Sequence, residues 1–176
     1  MSNRKKLATY VLFAMYGAMM FTSKLMMEGL PNIHPLTMFI VTLSVVYGIK
    51  ALIPIYIYVF LNGLYAGFNL WWVPYLYIWP LQCLITLLIP KRISDKLAIT
   101  IYPALCAVFG ITFGILYAPA QAILFGLTFK QTLVWISTGF AFDITHSIGN
   151  FCLGILVLPL SKLLKKLHKA SHIPIS

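Results

Sequence analysis

The sequence predicts an all-α integral membrane protein, a bundle of six transmembrane helices with both termini in the cytoplasm. Of its 176 residues, 61% are hydrophobic and only 9% are charged, whereas charged residues make up about a quarter of an average soluble domain. The mean hydropathy is +0.92. This length suits one membrane domain over residues 1–176.

Six apolar segments can be separated when they are measured against the roughly 20 residues with which a helix crosses a bilayer. They cover residues 7–27, 35–49, 51–67, 73–89, 97–118 and 134–160. The charged N-terminus resembles a signal peptide, but its apolar run is too long and lacks an obvious cleavage site, so we expect a retained first helix. Residues 119–133 are semi-apolar, and we expect them to form a loop or an interfacial helix.

The distribution of Lys and Arg sets the expected orientation. With cytoplasmic termini, all of the 13 Lys and Arg residues except Lys24 and Lys130 face inward, as the positive-inside rule requires. The net charge of +10 is thereby explained without a nucleic-acid partner. The outward segments 28–34, 68–72 and 119–133 are poor in charge and rich in aromatic or amide groups, which suggests that a ligand is captured from outside.

Asp143, His146 and Asn150 are the sharpest candidates for a site. Their spacing places all three on one face of an apolar helix. An acid in such a helix costs about 2.5–3.5 kcal/mol on insertion scales, so it should face the bundle interior. Asp143 and His146 could pair with each other or with Gln82 to hold the bundle, bind a ligand, or act as a proton relay or an intramembrane acid–base pair.

Catalysis is the least supported of these readings, because no nucleophile or metal-ligand set is evident. The three cysteines, Cys83, Cys106 and Cys152, lack the paired spacing of metal or redox sites. There is no GxxxxGK[ST] loop for ATP. We therefore expect no enzymatic activity, no metal and no cofactor.

Aromatic side chains are dense in residues 67–79, which include Trp71, Trp72 and Tyr75. Trp and Tyr commonly form belts at membrane interfaces, but this density exceeds what the lipid face of one helix needs. Some of these rings are expected to face a cavity and stack on a flat ligand. Glu28 and His34, in the preceding outward segment, either bracket a ligand or cap the ends of the adjacent helices.

Two small residues, Ala14 and Ala18, lie four positions apart in the first segment. Small residues at this spacing let another helix approach closely in the membrane. That helix could belong to the same chain or to a different subunit.

Together these features resemble the substrate-binding S components of energy-coupling factor transporters, which are membrane vitamin receptors of bacteria and archaea. The resemblance extends over the whole chain and rests on the six segments, the basic termini, Ala14/Ala18, and the phrases LPNIHPLTMFIV, GFNLWWVPYLYIW and FDITHSIGNF.

The resemblance implies a multi-pass protein of the bacterial plasma membrane that binds a vitamin at its outer face. It also implies partners, namely a transmembrane T subunit, which docks at Ala14 and Ala18, and two cytoplasmic ATPases. By position it favours ligand contacts from Asn32, Trp71, Trp72, Tyr75, Asp143, His146 and Asn150. No substrate-defining motif is evident, and cobalamin, pantothenate and pyridoxine-type ligands all stay open. A stand-alone proton-coupled carrier using Asp143 and His146 is the alternative, followed by an intramembrane enzyme.

Overall fold

The computed structural model describes residues 3–30, 32–90 and 92–171, and within these ranges the chain is helical and has no β-strand. The α-helices are α1 (Asn3–Met26), α2 (Leu36–Tyr47), α3 (Leu52–Ala66), α4 (Tyr75–Leu87), α5 (Asp95–Ile111), α6 (Phe113–Phe125), α7 (Phe129–Gly154) and α8 (Val157–Ser171). Short 3-10 turns cover Gly48–Ala51 and Leu70–Trp72. The all-α prediction is confirmed.

Three helical stretches are long and apolar enough to cross a membrane, namely Leu36–Ala66, Leu70–Leu87 and Asp95–Phe125. A fourth is added when Phe129–Gly154 and Val157–Lys169, which meet at a 44° bend, are taken as one broken span. The chain is therefore a membrane protein by the length and composition of its helices.

The stretch Leu36–Ala66 reverses direction at Gly48, whose φ of 60° and ψ of −138° end α2. Ring contacts to Trp79 demonstrate the reversal, because His34 and Tyr58 lie 6.4 and 6.3 Å from that ring. A straight helix would separate two residues 24 positions apart by about 36 Å. α2 and α3 thus lie antiparallel, and with 12 and 15 residues each is shorter than the roughly 20 residues of a typical spanning helix.

By contrast, α5 and α6 form one bent rod that runs antiparallel to α7. Gly110 packs on the backbone of Ser147, and Tyr117 stacks on Trp135, so the contact continues past the break at Thr112. Of the loop or interfacial helix expected over residues 119–133, the loop is wrong, since only residues 126–128 lie outside α6 and α7. Most of this region belongs to the end of α6 and the start of α7, although large apolar side chains such as Ile123 and Phe129 stay exposed.

The turn between α6 and α7 is short and well capped. Gly126 ends α6 in the left-handed conformation, which glycine adopts without steric cost. Thr128 then begins α7 with a capping box, in which its hydroxyl accepts from the Gln131 backbone and the Gln131 side chain accepts from the Thr128 backbone. α7 consequently starts five residues before the predicted sixth segment.

The end of α2 lies against the middle of α1 and the end of α8. Tyr47, at the end of α2, contacts both Tyr16 in α1 and His168 in α8. At this end Lys162 of α8 also pairs with Asp95 of α5. Lys24 lies toward the opposite end, where its ammonium donates to the Asn62 side chain at 2.9 Å.

Ala14 and Ala18 lie on an exposed face of α1. The neighbouring Gly17 is buried, and a Cβ at this position would lie 2.5 Å from Ile57 of α3. α1 thus uses Gly17 for packing within the chain and leaves the two alanines uncovered.

The close approach of α5 and α7 predicts that Gly110→Ala destabilises the bundle. The added Cβ would lie 2.7 Å from the Ser147 Cα, and backbone cannot move aside as a flexible side chain can. Overpacking of this kind costs about 1–3 kcal/mol, and thermal unfolding in detergent measures it. Gly139→Ala is the matched control, since nothing lies within 4 Å of a Cβ there and alanine favours a helix by about 1 kcal/mol over glycine. Equal unfolding temperatures for the two variants would contradict the close packing.

Candidate functional site

A cleft of about 300 Å³ lies between α6 and α7, within the range of about 300–1,000 Å³ typical of small-molecule sites. Its lining residues recur every three or four positions on each helix, so one face of each helix forms a wall. The lining comprises Asn32 from the α1–α2 connection, Phe113, Gly114, Tyr117 and Gln121 from α6, and Trp135, Ile136, Gly139, Phe142, Asp143 and His146 from α7.

Asp143 caps the N-terminus of α6 from the neighbouring helix. The break at Thr112 leaves the Gly114 N–H, in the first turn of α6, without an intrahelical acceptor. This N–H donates to both carboxylate oxygens of Asp143, at 3.2 Å each. The helix dipole also favours a negative charge at this position. A carboxylate that is only 5% exposed is thus held by a helix end and still borders the cleft.

His146 lies one turn further along α7 and is 3% exposed. Its ring contacts Phe113 and His34, with both pairs of ring centroids 5.1 Å apart. Its Nε2 has no hydrogen-bond partner among the residues that the structure describes. Among the described residues, Asp143 bonds to Gly114 rather than to His146 or Gln82, so the predicted structural pairing is not formed.

Further polar side chains are buried beside the cleft. Asn150, one turn beyond His146, is 1% exposed, and its Nδ2 has no hydrogen-bond partner in the described part of the chain. Next to His146, burial and then the charge of Lys24 lower the pKa of His34 to about 4. His34 is therefore uncharged at neutral pH and does not offset the carboxylate of Asp143.

Asn32 reaches the cleft from the connection between α1 and α2. Its φ of 57° is the left-handed conformation, which asparagine tolerates better than most residues. Its Nδ2 donates to the Phe142 carbonyl at 3.5 Å. An exposed amide is thus placed beside the helix that carries Asp143.

The aromatic residues near α4 lie behind the cleft. Trp71 and Tyr75 pack against each other, with ring centroids 5.5 Å apart. Trp72 donates its indole N–H to the Val59 carbonyl at 2.8 Å. The cleft lining does not include these three residues, and neither does it include Asn150. Of the predicted ligand contacts, the structure brings together Asn32, Asp143 and His146.

The sequence led us to expect aromatic rings of the α4 region in the wall of the cleft, but rings of α6 and α7 form this wall instead. Tyr117 and Trp135 are stacked, with centroids 5.8 Å apart and an interplanar angle of 22°. The Tyr117 hydroxyl donates to the Trp71 carbonyl at 2.9 Å, which fixes the tyrosine from behind. Sequence analysis missed Tyr117, Gln121 and Trp135. The spacing of Phe113, Tyr117 and Gln121 at i, i+4 and i+8 was the available signal.

In the part of the chain that the structure describes, no three His, Cys, Asp or Glu side chains are grouped so that they could hold a metal ion. Comparison with known proteins gives no further guide, since no family model, no curated protein and no solved structure matches this chain.

The cap on α6 predicts strong coupling between positions 114 and 143. A Cβ on Gly114 would collide with the Asp143 carboxylate, so Gly114→Ala should lower the free energy of unfolding by about 1–3 kcal/mol. Asp143→Ala removes the colliding group. The double variant should therefore be more stable than the sum of the two single changes predicts, by about 0.5–3 kcal/mol. Thermal unfolding of the wild type and the three variants measures the cycle, and additive effects would argue against the contact.

Proposed function

We propose that this chain is the S component of an energy-coupling factor transporter in the bacterial cell membrane. It binds a vitamin or vitamin-like micronutrient at its outer face and delivers it with a T subunit and two ATPase subunits. In this proposal the six helical rods α1, α2, α3, α4, α5–α6 and α7–α8 each cross the membrane, with both termini in the cytoplasm.

The observation that carries the proposal is the position of the cleft. It borders the connections of the charge-poor end of the bundle, since its residues lie next to the α1–α2 connection and between the helices joined at residues 126–128. Of the described Lys and Arg side chains, those in the α2–α3 connection (Lys50), at the start of α5 (Lys96) and in α8 (Lys162, Lys165, Lys166 and Lys169) lie toward the opposite end. A ligand-sized cleft at the end that the positive-inside rule assigns to the exterior fits a receptor that captures its ligand from outside.

The exposed face of α1 supports the assignment of a partner. Ala14 and Ala18 leave a shallow surface beside the exposed Met15 and Met19. Small residues permit close helix approach within a bilayer, where association depends on packing contact. Their exposure is consistent with a helix of another subunit docking there.

A stand-alone proton-coupled carrier is the second candidate, because Asp143 and His146 both border the cleft and such pairs serve as proton relays in membranes. The two functions differ in what uptake requires. The carrier works without ATPase subunits and stops when a protonophore dissipates the gradient. Uptake assays of a vitamin mixture, in cells with and without the ATPases, distinguish them.

We expect Ala14→Leu combined with Ala18→Leu to abolish uptake while ligand binding to the purified chain stays unchanged. Bulky side chains would hold the docking helix away, whereas the cleft lies between other helices. Ala104→Leu, at an exposed alanine of α5, is the control and should retain uptake. Normal uptake by the double variant would count against the docking role.

Cysteine labelling tests the orientation. In a Cys152→Ser background, which removes the exposed native thiol, a membrane-impermeant maleimide should label Gly29→Cys in intact cells. Lys166→Cys should react only after permeabilisation, because its position belongs to the basic end. The reverse pattern would invert the topology.

A further inference from the structure

The charge of the cleft is one-sided. Asp143 is the acidic residue in its lining, and no Lys or Arg occurs among the lining residues that the structure describes. Asp95, another acidic residue, differs from Asp143 in that it pairs with a lysine. Its partner is Lys162, and both side chains are exposed and lie outside the cleft. An anionic ligand would thus enter a low-dielectric cleft beside a carboxylate and without a Lys or Arg to pair with, which is costly.

Asp143 also retains capacity to bind. A carboxylate has about four lone-pair sites, and the described residues supply one N–H, from Gly114, which is shared between the two oxygens. Both oxygens can therefore accept further hydrogen bonds. A ligand with N–H donors would supply them, and hydrogen bonds to a charged acceptor are stronger than those between neutral groups.

The remaining walls select for a flat ring. The stacked Tyr117 and Trp135, together with Phe113 and Phe142, present aromatic surface, and Gly139 leaves open space because it has no side chain. At about 300 Å³, the cleft holds a one- or two-ring ligand. His146, which is almost fully buried, lines the inner end of the cleft.

We infer that the ligand is a small, flat nitrogen heterocycle, neutral or cationic, whose N–H donors meet the Asp143 carboxylate. The inference deepens the proposed function and rests on it for the identification of the cleft as the transport site. Of the candidate vitamins, it disfavours the corrinoid, which exceeds the cleft, and pantothenate, which carries a carboxylate. It favours ring compounds of the pyridoxine type.

Three benzimidazoles of similar size test this ligand class. 2-Aminobenzimidazole donates N–H groups from one edge, benzimidazole has fewer donors, and benzimidazole-2-carboxylate is an anion. Isothermal titration calorimetry on the full chain, in nanodiscs of zwitterionic phosphatidylcholine, gives each dissociation constant. We expect 2-aminobenzimidazole to bind at least about tenfold more tightly than benzimidazole and the anion to bind most weakly. Equal or reversed affinities, or no binding of 2-aminobenzimidazole, would overturn the inference without recourse to any variant.

The variant Asp143→Asn then tests whether the preference for 2-aminobenzimidazole depends on the Asp143 carboxylate. It keeps the shape and an acceptor for Gly114 but removes the charge, so the preference for 2-aminobenzimidazole over benzimidazole should fall to a ratio of about one. Asp95→Asn, the same acid-to-amide change at an exposed position away from the cleft, should leave the preference intact. A preference that survives Asp143→Asn in a variant with normal thermal unfolding would show that Asp143 only caps α6.

The experiments can refute the inferred ligand class and the proposed transport mechanism independently of each other. If the probes do not follow the charge at position 143 while uptake still requires the ATPase subunits, the ligand class is wrong and the transporter stands. If the probes follow the charge but uptake occurs without ATPases, the ligand class stands and the S-component assignment falls.

Discussion

The need to satisfy a buried carboxylate organises the site end of this protein. Asp143 lies inside an apolar helix, where an unpaired charge is expensive, and a break in the facing rod at Thr112 provides the free N–H of Gly114. The same break exposes the positive end of the α6 dipole. Because the carboxylate caps a helix end with a single shared N–H, it stabilises the bundle and keeps hydrogen-bonding capacity for a ligand.

The positions of glycine residues decide where α7 packs closely on its neighbours and where a cleft is left. Gly110 and Gly154 allow α5 and α7 to touch through their backbones, as a Cβ at either position would lie under 3 Å from the other helix. Further along α7, around Gly139, the facing helix is α6. There the two helices leave a cleft lined by aromatic side chains instead of packing through their backbones. Tight packing at one end and open space at the other thus come from the order of small and large residues on two helices.

The site was only partly predictable. Asp143 and His146 stood out because polar side chains in apolar helices have few explanations, whereas Asn32 was favoured only by its position in the resemblance. The aromatic wall was expected from the cluster around Trp71, whereas Tyr117 and Trp135 form it. An aromatic-rich segment gives no sign of which neighbour its rings will meet, and Trp72 is instead used to hold α3.

The sequence by itself determined that the chain is helical and apolar, approximately where α1 to α4 begin and end, and that its basic residues cluster in short patches between apolar segments. These properties depend on local composition and on turn residues such as Gly48 and Gly126. Only the tertiary structure decided that α5 and α6 act as one rod, that Asp143 caps it, and that the cleft lies between α6 and α7. These features depend on which helices are neighbours, and contacts between residues far apart in the chain leave no periodic pattern in it.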